Sequence, residues 1–206
     1  MFYAIFGIVY FATLAMMVRE GLWANLLATA AILVGGLAAF GLYQPITIML
    51  DEATGGEYTY VLDFVVIWLL FALVCGIVKG LGAFLSPTKL RFKEPINSIG
   101  GPAVGLVAGF LMASMTMATL HAAPLGATDF FPELAPKAGT VAGVRRELSE
   151  ASIFGRPDVA WLRIAEAGLS PSRAGGEGFS PAIYVFTLGQ HRAKFQKSAS
   201  TIVERG

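Results

Sequence analysis

NSIGGPAVGLVAGFL, residues 97–111, carries glycine at every fourth position inside a run without charge. In a water-exposed helix each glycine costs about 1 kcal/mol relative to alanine, so three of them on one face need a physical reason. In lipid there is little hydrophobic drive between helices, and small residues let two helix backbones approach closely. Gly101, Gly105 and Gly109, continued by Ala113, therefore predict a packing face for a neighbouring transmembrane helix.

The composition indicates an integral membrane protein. Hydrophobic residues make up 55% of the 206 residues and charged residues only 14%, against about 25% in an average soluble domain. A soluble domain of this length would need a more charged surface. The net charge of +1 provides no global field for nucleic acid. The single cysteine, Cys75, cannot form an internal disulfide and is interpreted as a small buried residue.

Four apolar segments approach or exceed the roughly 20 residues that span a bilayer. They cover residues 2–18, 22–43, 60–78 and 99–120. The alternative for the first segment is a cleaved signal peptide, but it lacks a basic n-region and a small-residue cleavage site. We therefore predict an all-α integral membrane protein with four transmembrane helices, followed by a short, mainly helical C-terminal tail.

A second pair of small residues, Gly76 and Gly80, lies near the end of the third segment. Its spacing predicts another packing contact. The glycine faces leave two kinds of partner open besides the lipid bilayer: a second copy of the chain, or another membrane protein.

The turn VREGLW leaves only Arg19, Glu20 and Gly21 between the first two segments. A helical hairpin can turn in two to five residues, and Gly21 can adopt the left-handed conformation that such a turn often needs. The alternative, one long kinked helix, would place Arg19 and Glu20 in hydrocarbon at high cost.

The charges of the loops predict the orientation in the membrane. The acidic residues after the second segment are Asp51, Glu52 and Glu57, and the basic residues after the third are Lys79, Lys89, Arg91 and Lys93. Short basic loops stay cytoplasmic. We therefore expect the acidic loop and both termini outside the bacterial inner (plasma) membrane, with Arg19 inside.

We divide the chain at residue 121, with a four-helix membrane domain over 1–121 and an extracytoplasmic tail over 122–206. Apolar residues at helical spacing predict short helices near 141–151 and 157–168, and Asp158 can cap the second of them. A turn-rich linker follows over 170–181, and residues 182–200 fit either a helix or a strand. The tail is expected to lie at the outer membrane–water boundary.

Few residues offer chemistry. His121 and His191 have no further ligand at metal-binding spacing, and nucleophile or phosphate-binding motifs do not occur, so no metal, cofactor or catalytic site is predicted. Asp63 is a polar transport candidate because it is ionisable and lies in a span, although its position near the segment end favours a wet interfacial site. Asn97 is placed to cap the fourth helix. The basic stretch 191–197 is interpreted as solvated or facing lipid headgroups, and nucleic acid is not an expected partner.

Four spans, the turn VREGL and the series Asn97, Gly101, Gly105, Gly109 resemble the colicin V production protein (CvpA) family. The resemblance covers about residues 1–121, and it implies a motif role for the turn residues Arg19 and Gly21. Members typically open the fourth helix with aspartate, so Asn97 removes a charge and argues against an essential proton carrier there. Ala108 also departs from the family pattern, which often has a basic residue before the last glycine.

The resemblance implies a non-enzymatic multi-pass membrane protein of the cell envelope. Its role would be that of a scaffold or accessory factor for toxin production and export or for envelope homeostasis. The alternative is a small membrane transporter or channel. A transporter usually needs polar groups or broken helices within its spans. The polar groups that these spans offer are few: Asn25, Thr29, Asp63 and the set Ser114, Thr116 and Thr119.

Overall fold

The computed structural model describes residues 1–56, 58–85, 93–125, 131–135, 137–170 and 178–203. The helices of the first part are α1 (Phe2–Met17), α2 (Leu22–Ala53), α3 (Thr59–Leu85) and α4 (Ile96–Thr119). A 3₁₀ turn at Pro132–Leu134 and the helices α5 (Val141–Glu150), α6 (Pro157–Gly168) and α7 (Pro181–Val203) follow. Every regular element in the described ranges is helical, which confirms the all-helical prediction. Residues 182–200, left open between helix and strand, belong to α7.

Three helices, α2, α3 and α4, are long and apolar enough to cross a membrane. The first helix, α1, is also apolar but has only 16 residues. At 1.5 Å per residue it is about 24 Å long, which is shorter than the roughly 30 Å hydrocarbon core of a bilayer. The fourth membrane crossing, by α1, therefore stays a prediction.

The second helix extends beyond the predicted span, which ended at residue 43, and continues to Ala53. Pro45 lies inside the helix without ending it. The helix ends before Gly55 and Gly56, which adopt positive φ angles of 69° and 81°. Such angles are readily adopted only by glycine, so these two residues, and not the proline, set the end of α2.

Some predicted features lie outside the described residues. These are Glu57, Lys89, Arg91 and residues 171–177 of the turn-rich linker. The orientation inferred from the loop charges therefore stays a prediction.

The helices of the first part pack in the spatial order α1, α4, α2, α3. The second helix contacts both α3 and α4, and α1 contacts α4. Buried apolar side chains fill the contacts of α2 with α3 and α4, among them Phe40, Ile67 and Met115. Cys75 lies in the α2–α3 contact, where its thiol donates to the carbonyl oxygen of Ala31 at 3.2 Å. It is half-buried there, and so less enclosed than the small buried residue interpreted from the sequence.

The tail packs against the membrane helices through α6, which contacts α4 and α2. Trp161 of α6 is fully buried, and its ring occupies the space where a side chain at Gly36 of α2 would be. Its ring also lies 6.1 Å from that of Phe40, centroid to centroid. One continuous apolar core therefore includes residues of both the membrane helices and the tail.

Candidate functional site

The glycine strip of α4 faces α1 and the turn that follows it. A Cβ atom added to Gly101 would lie 3.3 Å from the carbonyl oxygen of Glu20, and one added to Gly109 would lie 3.3 Å from the carbonyl oxygen of Tyr10. At Gly105 the nearest atom would be the Cβ of Met17, at 3.4 Å. Because two of these neighbours are backbone atoms, the absence of side chains on α4 is what allows the close approach.

We expect Gly105→Leu to destabilise the α1–α4 contact by about 1–3 kcal/mol, the usual cost of overpacking a close contact. The measurement is thermal unfolding of the purified protein in detergent. Ala103→Leu is the matched control, because Ala103 is an exposed residue of the same helix. Equal stability of the two variants would contradict a packing role for the strip.

Gly76 and Gly80 do not form a packing face within the chain. A Cβ added to either would meet no atom within 4 Å among the described residues. The reason is that α3 packs on α2 through a different side, which includes Ile67 and Phe71, whereas Leu73 and Ile77 on the glycine side are exposed. The structure shows no contact at this pair within one chain, and a contact there with a second copy or another membrane protein stays a prediction.

The turn residues of the motif lie against the start of α4. Gly21, the residue before α2, has an extended backbone with φ −75° and ψ 165°, and not the left-handed conformation expected for it. The backbone N–H of Leu22 donates to Oδ1 of Asn97 at 3.0 Å. A Cβ at Gly21 would lie 3.3 Å from the same oxygen. The prediction that Asn97 caps its own helix, α4, is therefore wrong. Asn97 caps α2 instead, because the first turn of α2 offers an unpaired N–H close to it in space. Arg19 is exposed in the turn.

Asn25 forms hydrogen bonds that connect the end of α1, the start of α2 and the start of α4 inside the bundle. Its side chain is 1% exposed and donates through Nδ2 to the carbonyl oxygens of Met17, at 3.0 Å, and Gly101, at 2.8 Å. It therefore joins the end of α1 and the glycine strip of α4 to α2. The sequence signal was present, since Asn25 is a lone amide in an apolar span, but no local spacing identifies its partners. We call Gly21, Asn25, Asn97 and Gly101 the turn cluster.

We expect Asn97→Ala to lower the stability by about 1 kcal/mol, the usual cost of a lost N-terminal cap. Asn97→Asp should instead stabilise the protein by about 0.3–1 kcal/mol, because a carboxylate interacts more favourably with a helix N-terminus. Thermal unfolding in detergent measures both. Ser98→Ala is the control, since the Ser98 hydroxyl donates to the nearby carbonyl of Pro95 and does not cap α2. An Asn97→Ala variant as stable as Ser98→Ala would refute the capping role.

A second polar cluster lies where α4 ends and the tail packs. His121 Nε2 lies 3.1 Å from Asp158 Oδ2, and both side chains are fully buried. The Arg156 guanidinium donates to both oxygens of Asp158, at 3.0 and 2.8 Å. The prediction that Asp158 caps α6 is therefore wrong, because its carboxylate forms hydrogen bonds with His121 and Arg156 instead. We call His121, Arg156 and Asp158 the tail cluster.

The electrostatics of the tail cluster favour a carboxylate beside a neutral imidazole. Burial lowers the pKa of His121, and this outweighs the opposite effect of its hydrogen bond to Asp158. Burial alone would raise the pKa of Asp158, but the hydrogen bonds from His121 and Arg156 hold it well below its usual range. A neutral His121 with its hydrogen on Nε2 donates to Asp158, which leaves Nδ1 as a free acceptor.

A small cleft separates the tail cluster from Asp63 of α3. Asp63 is buried, and its carboxylate oxygen lies 3.7 Å from His191 Nδ1 of α7. Asp63 is thus largely covered by α7, and its side chain also borders the cleft. The cleft is lined by His121, His191, Arg192 and Asp63, and its volume of about 10 Å³ is close to that needed for one water molecule. The buried atoms His121 Nδ1, His191 Nδ1 and Arg192 Nε have no hydrogen-bond partner among the described residues.

The chemistry available at this cleft is the binding or transfer of a proton between the two histidines and the carboxylates beside them. In the part of the chain that the structure describes, no three His, Cys, Asp or Glu side chains are placed to hold a metal ion. The sequence could show only that His121 and Asp158 are titratable residues. It could not show that they form a pair, because they are 37 positions apart and meet only when the tail packs on the membrane helices.

Comparisons with known proteins identify a family. No curated protein and no solved structure matches the chain. The model of the family described as Colicin V production protein matches residues 3–137, which is well over half of the chain. The match includes the turn cluster and His121, and it continues past the domain boundary predicted at residue 121. The chain therefore belongs to the colicin V production protein family.

Proposed function

We propose that this chain is a non-enzymatic scaffold or accessory factor of the bacterial inner membrane, serving toxin production and export or envelope homeostasis. The observation that supports the proposal is how its polar side chains are used. Asn97 and Asn25 join α4 to α2 and α1, and His121 joins the end of α4 to the tail. These groups hold segments in place, which suits a protein that works through a fixed surface.

The family membership supports the same reading. The colicin V production family is not known as a family of enzymes, and three apolar helices fit a multi-pass membrane protein. The strip at Gly101, Gly105 and Gly109 is covered by α1. Contact with a second copy or another membrane protein would therefore use the exposed side of α3, which carries Gly76 and Gly80.

A small proton-linked transporter is the second candidate, and one observation favours it. The cleft between Asp63 and His121 contains titratable groups from both the membrane helices and the tail. Ionisable residues within membrane spans commonly mark transport paths or proton relays. In this reading the charge of Asp63 is essential, whereas in a scaffold it is not.

Complementation of an envelope or toxin-production defect in cells lacking this protein separates the two functions. For the scaffold we expect Asp63→Asn to complement, with Glu52→Gln as an acidic control near the end of α2. Gly105→Leu, which disturbs the packing, should fail to complement. Loss of complementation by Asp63→Asn at normal protein level and membrane insertion, with Gly105→Leu still active, would overturn the scaffold and support the transporter.

A further inference from the structure

The loop between α5 and α6, residues 152–155, exposes two large apolar side chains. Phe154 is 89% exposed and Ile153 is 41% exposed. The sequence of this loop, SIFG, contains no charge. A single exposed apolar residue is ordinary on a protein surface, but two neighbouring ones at a loop tip need a partner when they lie beside a membrane span.

This loop lies along the side of the membrane helices and not beyond their ends. The ring of Phe154 is 6.3 Å from that of Phe110 in α4, and Phe110 in turn lies 6.0 Å from Phe6 of α1. Phe110 precedes the end of α4 at Thr119 by about 14 Å along the helix axis, at 1.5 Å per residue. Phe154 therefore lies beside the middle of α4, a helix long and apolar enough to cross a membrane.

Backbone carbonyl groups of this region are paired with donors from elsewhere in the chain. The carbonyl of Gly155 accepts from the Tyr3 hydroxyl at 2.9 Å, and that of Ser152 accepts from the N–H of Arg156 at 2.8 Å. The carbonyl of Ala151 accepts from Arg163 at 3.0 Å. Irregular backbone enters hydrocarbon only when its polar groups are satisfied inside the protein. These contacts do so for the carbonyl groups of residues 151, 152 and 155.

Charges next to the loop are paired. On the α5 side, Glu150 forms an ion pair with Arg146 at 2.9 Å, and both are exposed. On the α6 side, Arg156 is turned onto the buried Asp158. The change from exposed charge to exposed apolar surface occurs between residues 150 and 153, which is the pattern of a segment lying at a membrane interface.

We propose that the α5–α6 loop is inserted among the lipid acyl chains, with Ile153 and Phe154 as its anchors. The occupant of this surface is lipid, because the surface is continuous through Phe110 with the side of a membrane-spanning helix. The tail is then held at two places, by the tail cluster within the protein and by this loop in the bilayer.

Site-directed fluorescence in liposomes tests the insertion. The full chain with Cys75→Ser is the parent, and Phe154→Cys or Ile153→Cys carries an environment-sensitive label. Lipids with a nitroxide on the acyl chain should quench both labels more strongly than lipids with a nitroxide on the headgroup. Glu150→Cys, on the charged side of α5, should show blue-shifted emission or acyl-chain quenching to a much smaller extent.

Two results would overturn the proposal. One is aqueous emission at residues 153 and 154 without acyl-chain quenching, in variants whose tail resists protease as in the parent. The other is a label shielded from lipid nitroxides but self-quenched as the labelled fraction rises, which would assign the surface to a second copy of the chain. Using both positions guards against a local disturbance caused by losing Phe154 itself.

Discussion

Replacing Trp161 with alanine should release the tail from the membrane helices, with a loss of about 3–5 kcal/mol for a buried aromatic side chain. Trp161 is fully buried over Gly36 and beside Phe40. Its Nε1 has no hydrogen-bond partner among the described residues, so the loss would report packing and not a broken hydrogen bond. Thermal unfolding in detergent and the rate of tail cleavage by a protease measure the effect.

Two further variants make the Trp161 result specific. Phe84→Ala removes an aromatic side chain that is 82% exposed on α3, and it should leave tail cleavage unchanged. Gly36→Leu should accelerate cleavage as Trp161→Ala does, because a side chain at residue 36 would collide with the Trp161 ring. A Trp161→Ala protein that keeps the parent's stability and protease resistance would contradict the packing of α6 on α2.

The membrane helices were predictable because the information that specifies them is local. A run of apolar residues of bilayer length predicts a helix whatever surrounds it, and the described helices α1 to α4 contain nearly all of the predicted spans. The end of α2 was missed because the span was bounded by its apolar run, which ends near residue 43, although the helix continues to Ala53. Here the glycines at 55 and 56 were the stronger signal.

The polar contacts could be predicted only in part. Asn97 was expected to cap α4, but it caps α2, whose first N–H belongs to a residue 75 positions away in sequence. Asp158 was also interpreted as a cap, from its place at the start of α6, and instead it pairs with His121 across 37 positions. Sequence spacing identifies groups that can form such bonds, whereas the choice of partner depends on how distant segments pack.

In the tail, too, local structure was predictable and contacts between distant segments were not. The helical spacing of its apolar residues predicted α5 and α6, but nothing local indicated that Trp161 would pack on Gly36. The turn cluster connects α1, α2 and α4 at one end of the bundle. The tail cluster connects the other end of α4 to the tail. Disturbing either cluster should therefore alter the shape that the proposed scaffold presents.

Lowering the pH should loosen the tail through His121. Its pKa is held below the unfolded value of about 6.5, so the unfolded state binds the proton more readily and stability is lost as the pH falls below about 6.5. Arg156 and Arg192 add to this effect because their charges disfavour a second cation nearby, and the Tyr184 ring also faces the imidazole. Asp158, whose pKa is also depressed, adds a further loss below about pH 4. Tail cleavage by protease should therefore accelerate between roughly pH 7.5 and 5.5.

Substitutions within and beside the tail cluster assign this pH dependence. His121→Gln should flatten the change in tail cleavage between roughly pH 7.5 and 5.5, because it removes the titrating group. His191→Gln is the control, since His191 is a second histidine near the tail cluster but faces Asp63. Asp158→Ala should destabilise tail packing by about 3–5 kcal/mol at neutral pH, because it leaves the half-buried charge of Arg156 without its main partner. The opposite result would contradict this assignment: tail cleavage that still accelerates at low pH in His121→Gln but no longer does so in His191→Gln. The pH dependence would then be assigned to the Asp63–His191 pair.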